Sequence, residues 1–112
     1  MGKFDDAVES AKAQCKAQKI PVNEELLRAV CKSLGPSLYK RDARLVAAGQ
    51  KHELETIKKN FLIKKLGLED GPKLDKAIDK AIDKIGRSNR AKQRAVFYYI
   101  LVRDLKQESK FI

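Results

Sequence analysis

Ala95-Val96-Phe97-Tyr98-Tyr99-Ile100-Leu101-Val102 is the longest apolar run in this chain of 112 residues. Residues in a helix advance by about 100° each, so a run of this length reaches every side. A helix apolar all round is surrounded by its neighbours. The run is far shorter than the roughly 20 residues needed to cross a bilayer. The pattern predicts a central helix, N-capped by Ser88 and running to about Glu108. The rest of the chain must supply what surrounds it.

Upstream, Asp70-Gly71-Pro72 reads as a helix start, with proline in the first turn. Leu74, Ala77, Ile78, Ala81, Ile82 and Ile85 then make a buried stripe that Gly86 closes. Asp75, Asp79 and Asp83 form an acidic stripe beside it, and Lys76, Lys80 and Lys84 a basic one. Lys76 with Asp79 and Lys80 with Asp83 are expected as i,i+3 pairs. From Lys51 to Leu66, the residues Leu54, Ile57, Phe61, Leu62 and Leu66 face one way, with Gly67 as C-cap. Asn23 is the expected N-cap of a helix carrying Leu26, Leu27, Val30, Cys31 and Leu34. Gly35 should close it as a left-handed cap, and Pro36 prevents its resumption. A short turn is expected over Ser37 to Lys40. Residues 41–50 read either as a loop packed on the core or as a brief helix. From Phe4 to Gln18, only Val8, Ala11, Cys15 and Gln18 recur at helical spacing, so this helix has a thin apolar face before Ile20-Pro21 breaks it.

These readings give an all-α fold: one compact domain, residues 1–112, built as a bundle of four main helices plus a weaker N-terminal helix. The last helix is central, and residues 1–20 form a peripheral, loosely packed element. Short connections make sequential helices neighbours. The N-terminus lacks the apolar segment of a signal peptide, which predicts a cytoplasmic protein with no membrane role. Cys15 and Cys31 lie alone on separate helices and are expected as reduced, semi-buried thiols. Two separated cysteines and the single His52 do not make a metal site, and no cofactor is expected.

Three blocks carry a resemblance. They are Leu34-Gly-Pro-Ser-Leu-Tyr39, then Glu55-Thr-Ile-Lys-Lys-Asn-Phe61 with Lys64-Lys-Leu-Gly67, and Ser88-Asn-Arg90 leading into Arg94-Ala-Val-Phe-Tyr-Tyr99. Across nearly the whole chain they resemble a small bacterial family of uncharacterised proteins, classed as a domain of unknown function. The resemblance implies an all-helical cytoplasmic bacterial protein. It implies no activity, cofactor or catalytic residue.

The net charge is +10, and half of the excess lies in residues 87–112. Arg87, Arg90, Lys92 and Arg94 fall within eight positions that contain no acid. With Ser88 and Asn89 they make a candidate anion-binding surface at the start of the last helix. Cations at a helix N-terminus oppose its dipole, and an anion there would meet backbone N–H groups and arginine forks together. The competing reading is internal: Arg90 and Arg94 could pair with Asp79 and Asp83 of the adjacent helix.

Catalytic motifs are missing. There is no HExxH, GxSxG, P-loop or dinucleotide fingerprint. The acid pairs Asp5-Asp6 and Glu24-Glu25 sit where helix first turns favour them. The sequence thus points to a non-enzymatic basic binding protein that engages a polyanion, with non-specific nucleic acid as the leading partner. The alternative is an interaction or self-association module for an acidic protein partner, anchored by Phe97, Tyr98, Tyr99, Phe111 and Ile112. An enzyme clamping a small anion with Arg87, Arg90 and Arg94 ranks below both, because no nucleophile or base accompanies the clamp. The oligomeric state is not encoded in any feature of the sequence.

Overall fold

A computed structural model describes residues 2–40, 44–89 and 91–112 of the protein. Helix α1 spans Lys3–Ala17, α2 Glu24–Leu34, α3 Lys51–Ile57, α4 Pro72–Ile85 and α5 Arg94–Asp104. Short 3-10 turns cover Gly35–Leu38 and Glu108–Lys110, and α3 continues as a π-helical segment over Lys58–Lys65. The fold is all-α, with its Cα atoms at a radius of gyration of 12.9 Å. That value is what a compact chain of this length adopts.

Helix α5 is the hub. Every residue from Ala95 to Val102 is buried. Helices α1, α2 and α4 pack on it, and Phe61 of the π-helical segment stacks on Tyr98, ring centroids 4.0 Å apart. Around it, α2 contributes Leu26, Leu27, Val30 and Cys31, and α4 contributes the six-residue stripe its sequence predicts. The thin stripe of α1 is fully buried at Val8, Ala11 and Cys15. Small side chains there let α1 lie close to α2 and α5, so a narrow face is enough. No helix among the described residues is long and apolar enough to cross a membrane.

Helix ends follow local chemistry in part. Asn23 accepts a hydrogen bond from the Leu26 N–H at 3.2 Å, as an N-cap should. Gly86 ends α4 at φ +111°, a region that side-chain-bearing residues avoid. Gly35 has φ +58° but ψ −136°, which is not the left-handed helical cap expected; the chain passes instead into the 3-10 turn.

The last helix begins later than its sequence suggests, and ends earlier. Its N-cap position is Gln93, not Ser88. Two tertiary demands hold residues 91–93 out of the helix. Leu45 and Gln93 form an isolated antiparallel bridge, in which Val46 N–H donates to the Lys92 carbonyl at 2.8 Å and Arg94 N–H to the Arg44 carbonyl at 2.6 Å. The Gln93 N–H also donates to Gln14 Oε1 of α1, at 3.0 Å. These bonds replace the ones a longer helix would make. At the other end, Lys106 takes a positive φ of 57° and turns the chain before Glu108.

Residues 44–50 take the loop form, with Val46 buried in the core; 41–43 lie outside the described residues. The i,i+3 pairs expected on α4 are not found among the described residues. Asp75 instead pairs with Lys58, and Asp79 and Asp83 with Arg87. Lys58 reaches Asp75 from the π-helical segment, and Arg87, just past the end of α4, reaches back to both Asp83 and Asp79.

Candidate anion site

Residues 87–89 and 91–93 follow α4 outside any helix, held by side chains of their own. Asn89 Oδ1 accepts from the Ala91 N–H at 2.8 Å, and the Asn89 N–H donates to the Gly86 carbonyl. This is the local turn chemistry that makes asparagine compete with helix. Lys92 is 4% exposed, and its ammonium group donates to the carbonyls of Arg87 and Asn89. It thus acts as a strut beneath the loop. Burial, then the nearby Arg87 charge, lowers its pKa.

Arg87 reaches back along α4. Its Nη2 lies 2.8 Å from Asp79 Oδ1 and 2.9 Å from Asp83 Oδ1. Both carboxylates hold its guanidinium firmly in the charged form. The pairing is therefore internal, but with Arg87 as the partner of Asp79 and Asp83 rather than Arg90 or Arg94. Arg94 turns the other way. Its Nη2 donates to Glu53 Oε1 at 2.8 Å and its Nη1 to the Tyr98 hydroxyl at 3.0 Å, and the guanidinium lies over the Tyr98 ring. Burial alone would lower the Arg94 pKa; the Glu53 carboxylate and Tyr98 reverse the sign, and it is raised.

The candidate residues that the structure describes are therefore not one surface. Arg87, Lys92 and Arg94 point to three different sets of partners. Ser88 is exposed, Asn89 serves its own turn, and Arg90 lies outside the described residues. Only Arg94 is part of the helix, so the dipole argument applies to it alone.

What the structure does bring together is a donor-rich groove on the far side of Arg94. It encloses about 410 Å³ between the C-terminal end of α2, the π-helical segment and the first turns of α5. Lys65, Asn60, Tyr98 and the Arg94–Glu53 pair line it, above Leu34 and Phe61. Within the pair the side chains are 13% and 24% exposed, so the charges are only partly screened by water. The sequence carried one usable signal for this cluster: Arg94 and Tyr98 are spaced i,i+4 on a helix. The contribution of Asn60 and Lys65 was illegible, because it depends on a π-helical turn. Among the described residues, no group of three His, Cys, Asp or Glu side chains is arranged to hold a metal ion.

Residues 8–109 match the model of a family described as a protein of unknown function, DUF2853. The chain belongs to this family. No curated protein matches it. The family assignment covers every element of the bundle core, from Val8 of α1 through α5, and carries no activity with it.

Proposed function

We propose that the protein is a non-enzymatic basic binding protein that engages a polyanion, nucleic acid foremost, without sequence preference. The observation that carries this is how the ion pairs are shared out. Lys12 holds Glu9 and Glu24, Lys58 holds Asp70 and Asp75, and Arg87 holds Asp79 and Asp83. Each of these cations thus serves two carboxylates, so each such group keeps a net negative charge. The surface outside the pairs is left more basic than the net charge of +10 suggests. The reading does not rest on Arg87, Lys92 and Arg94, whose polar groups are engaged internally.

Four of the remaining lysines, Lys32, Lys64, Lys65 and Lys110, lie at or beside the C-terminal ends of α2 and of the π-helical segment. Lys65 Nζ reaches the Ser33 carbonyl of α2 at 3.3 Å, next to Lys32, and Lys110 Nζ lies 3.8 Å from where a Gly67 side chain would begin, just past Lys64. Among the described residues none of these four pairs with a carboxylate. They sit near helix C-termini, where the dipole favours them, so the fold tolerates them without a ligand. A phosphate backbone would gain from all four by counterion release.

Anisotropy titrations of labelled duplex DNA and single-stranded RNA at low and moderate salt test the proposal. Binding at low salt that ignores sequence and weakens steeply with salt is expected. Replacing Lys32, Lys64, Lys65 and Lys110 by glutamine should lower the log–log salt slope by about 0.9 for each phosphate that is then left without its lysine. Absence of binding at low salt overturns it. A cytoplasmic setting belongs to the same reading and is supported by two unpaired, buried thiols.

A second reading, an acidic protein partner, draws on exposed Ile112 beside half-buried Phe111 and Lys110. It does not rest on Phe97, Tyr98 and Tyr99, which are buried in the core. A complex that survives nuclease treatment would favour it.

A further inference from the structure

The groove beside Arg94 shares only Lys65 with that reading, and its chemistry is specific. Three groups in it have N–H or O–H protons still to donate. Lys65 gives one N–H to the Ser33 carbonyl. The exposed Asn60 amide makes no hydrogen bond among the described residues. Tyr98 is nine-tenths buried; its hydroxyl oxygen accepts from Arg94, while its own proton meets no acceptor among the described residues. Burial pushes the Tyr98 pKa up, so the phenol remains a donor at neutral pH. Acceptors are scarce by comparison. Among the described residues Glu53 is the one carboxylate on the wall, and it already holds Arg94. The pair cancels, which leaves Lys65 as the single surplus positive charge among the described residues of the wall.

The backbone is shaped to this arrangement. In an α-helix, residues five apart point about 140° away from each other. In a π-helix, closed by i→i+5 bonds, residues five apart fall one turn apart on one side. Asn60 and Lys65 are five apart, lie within the π-helical segment, and line the same groove. π-helical turns are rare and concentrate at functional sites. Beneath these donors, Leu34 and Phe61 give an apolar floor.

We propose that this groove is a binding site for a small monocarboxylate with a short aliphatic body. The carboxylate would take the Lys65 ammonium, the Asn60 amide and the Tyr98 hydroxyl, and the aliphatic chain would lie on Leu34 and Phe61. One surplus positive charge suits a singly charged head. A phosphate dianion would meet Glu53 with only Lys65 to offset it.

The test is an NMR titration of the full chain with sodium hexanoate, with inorganic phosphate as comparison. Hexanoate is expected to shift the Asn60 side-chain amide and the Tyr98 and Phe61 ring signals in a saturable way, and phosphate to bind more weakly there. Asn60→Ala, at an exposed position, and Tyr98→Phe should each weaken hexanoate by about tenfold, the loss of one charge-assisted hydrogen bond. Undiminished affinity in Asn60→Ala overturns the site even if Tyr98→Phe compromises folding. So does tighter phosphate than hexanoate binding, or hexanoate shifts spread over surface lysines at large. Asn60→Ala should leave DNA binding unchanged, which separates this site from the polyanion surface.

Discussion

Tyr99 shows how a single side chain ties distant parts of the chain together. It is fully buried in α5, yet its hydroxyl donates to the Pro21 carbonyl at 2.8 Å and accepts from the Asn23 N–H at 2.7 Å and from Arg103 Nη1 at 3.0 Å. The connection between α1 and α2 is thereby fastened to the hub. Tyr99→Phe keeps the packing, strands the Asn23 N–H at a partly buried spot and leaves the Pro21 carbonyl only Arg103 Nη1, at 3.3 Å. Stability measured by urea unfolding should fall by about 1–3 kcal/mol, with little change in m-value. Arg94 and Glu53 make a second such link, between α5 and α3. Glu53→Gln leaves a poorly hydrated guanidinium with a weaker acceptor, and a loss of about 1–3 kcal/mol is expected. A double-mutant cycle with Arg94→Gln should return a coupling energy well above that of an exposed pair.

At the scale of elements, α1, α2 and α5 seal the two cysteines. Cys15 and Cys31 are wholly buried, and burial pushes each thiol up to about 11. Neither should react with a thiol-specific reagent in the native protein at neutral pH, and both should react at once in denaturant. Fast labelling of the folded chain would show that α1 opens readily. Apolar periodicity made α2, α4 and the all-round burial of α5 legible, because each depends on a repeating contact with one core. The start of α5 was not legible. Ser88 has the right chemistry for a cap, but strand-like bonds from Arg44 and Val46 and the Gln14 side chain claim residues 92–94 instead. Those partners are 46–79 positions away in sequence, beyond any local signal. For the same reason the run of arginines looked uncompensated: Asp79 and Glu53 approach only once the chain has folded. The π-helical turn was hidden differently, since Ile57, Phe61, Leu62 and Leu66 satisfy an α-helical stripe equally well.

Over the whole molecule, the surface ion pairs set the response to acid. Arg28 holds the Asp5 carboxyl below its usual range, Lys12 does so for Glu24, and Lys58 for Asp70. A carboxylate whose pKa is depressed by folding adds stability above its unfolded pKa, and that gain is lost as pH falls through the folded value. The melting temperature should therefore be flat near neutrality and drop as pH falls below about 4. Combining Asp5→Asn, Glu24→Gln and Asp70→Asn should lower the neutral plateau and flatten the acid limb. An acid limb unchanged by the three substitutions would mean that other carboxylates govern it. The charge left outside the pairs is what a polyanion would read, and its effect should vanish at high salt while the fold persists.

One consequence of the hub lies in the order of synthesis. Helix α5 is translated after the four helices it holds together. At about 5–20 residues per second, ribosomes expose α1 seconds before its partner exists. Until then the stripes of α1, α2 and α4 have no common surface to close on. Nascent chains arrested before Arg94 should be protease-sensitive and bound by chaperones, and release of the final segment should make the whole bundle resistant in one step.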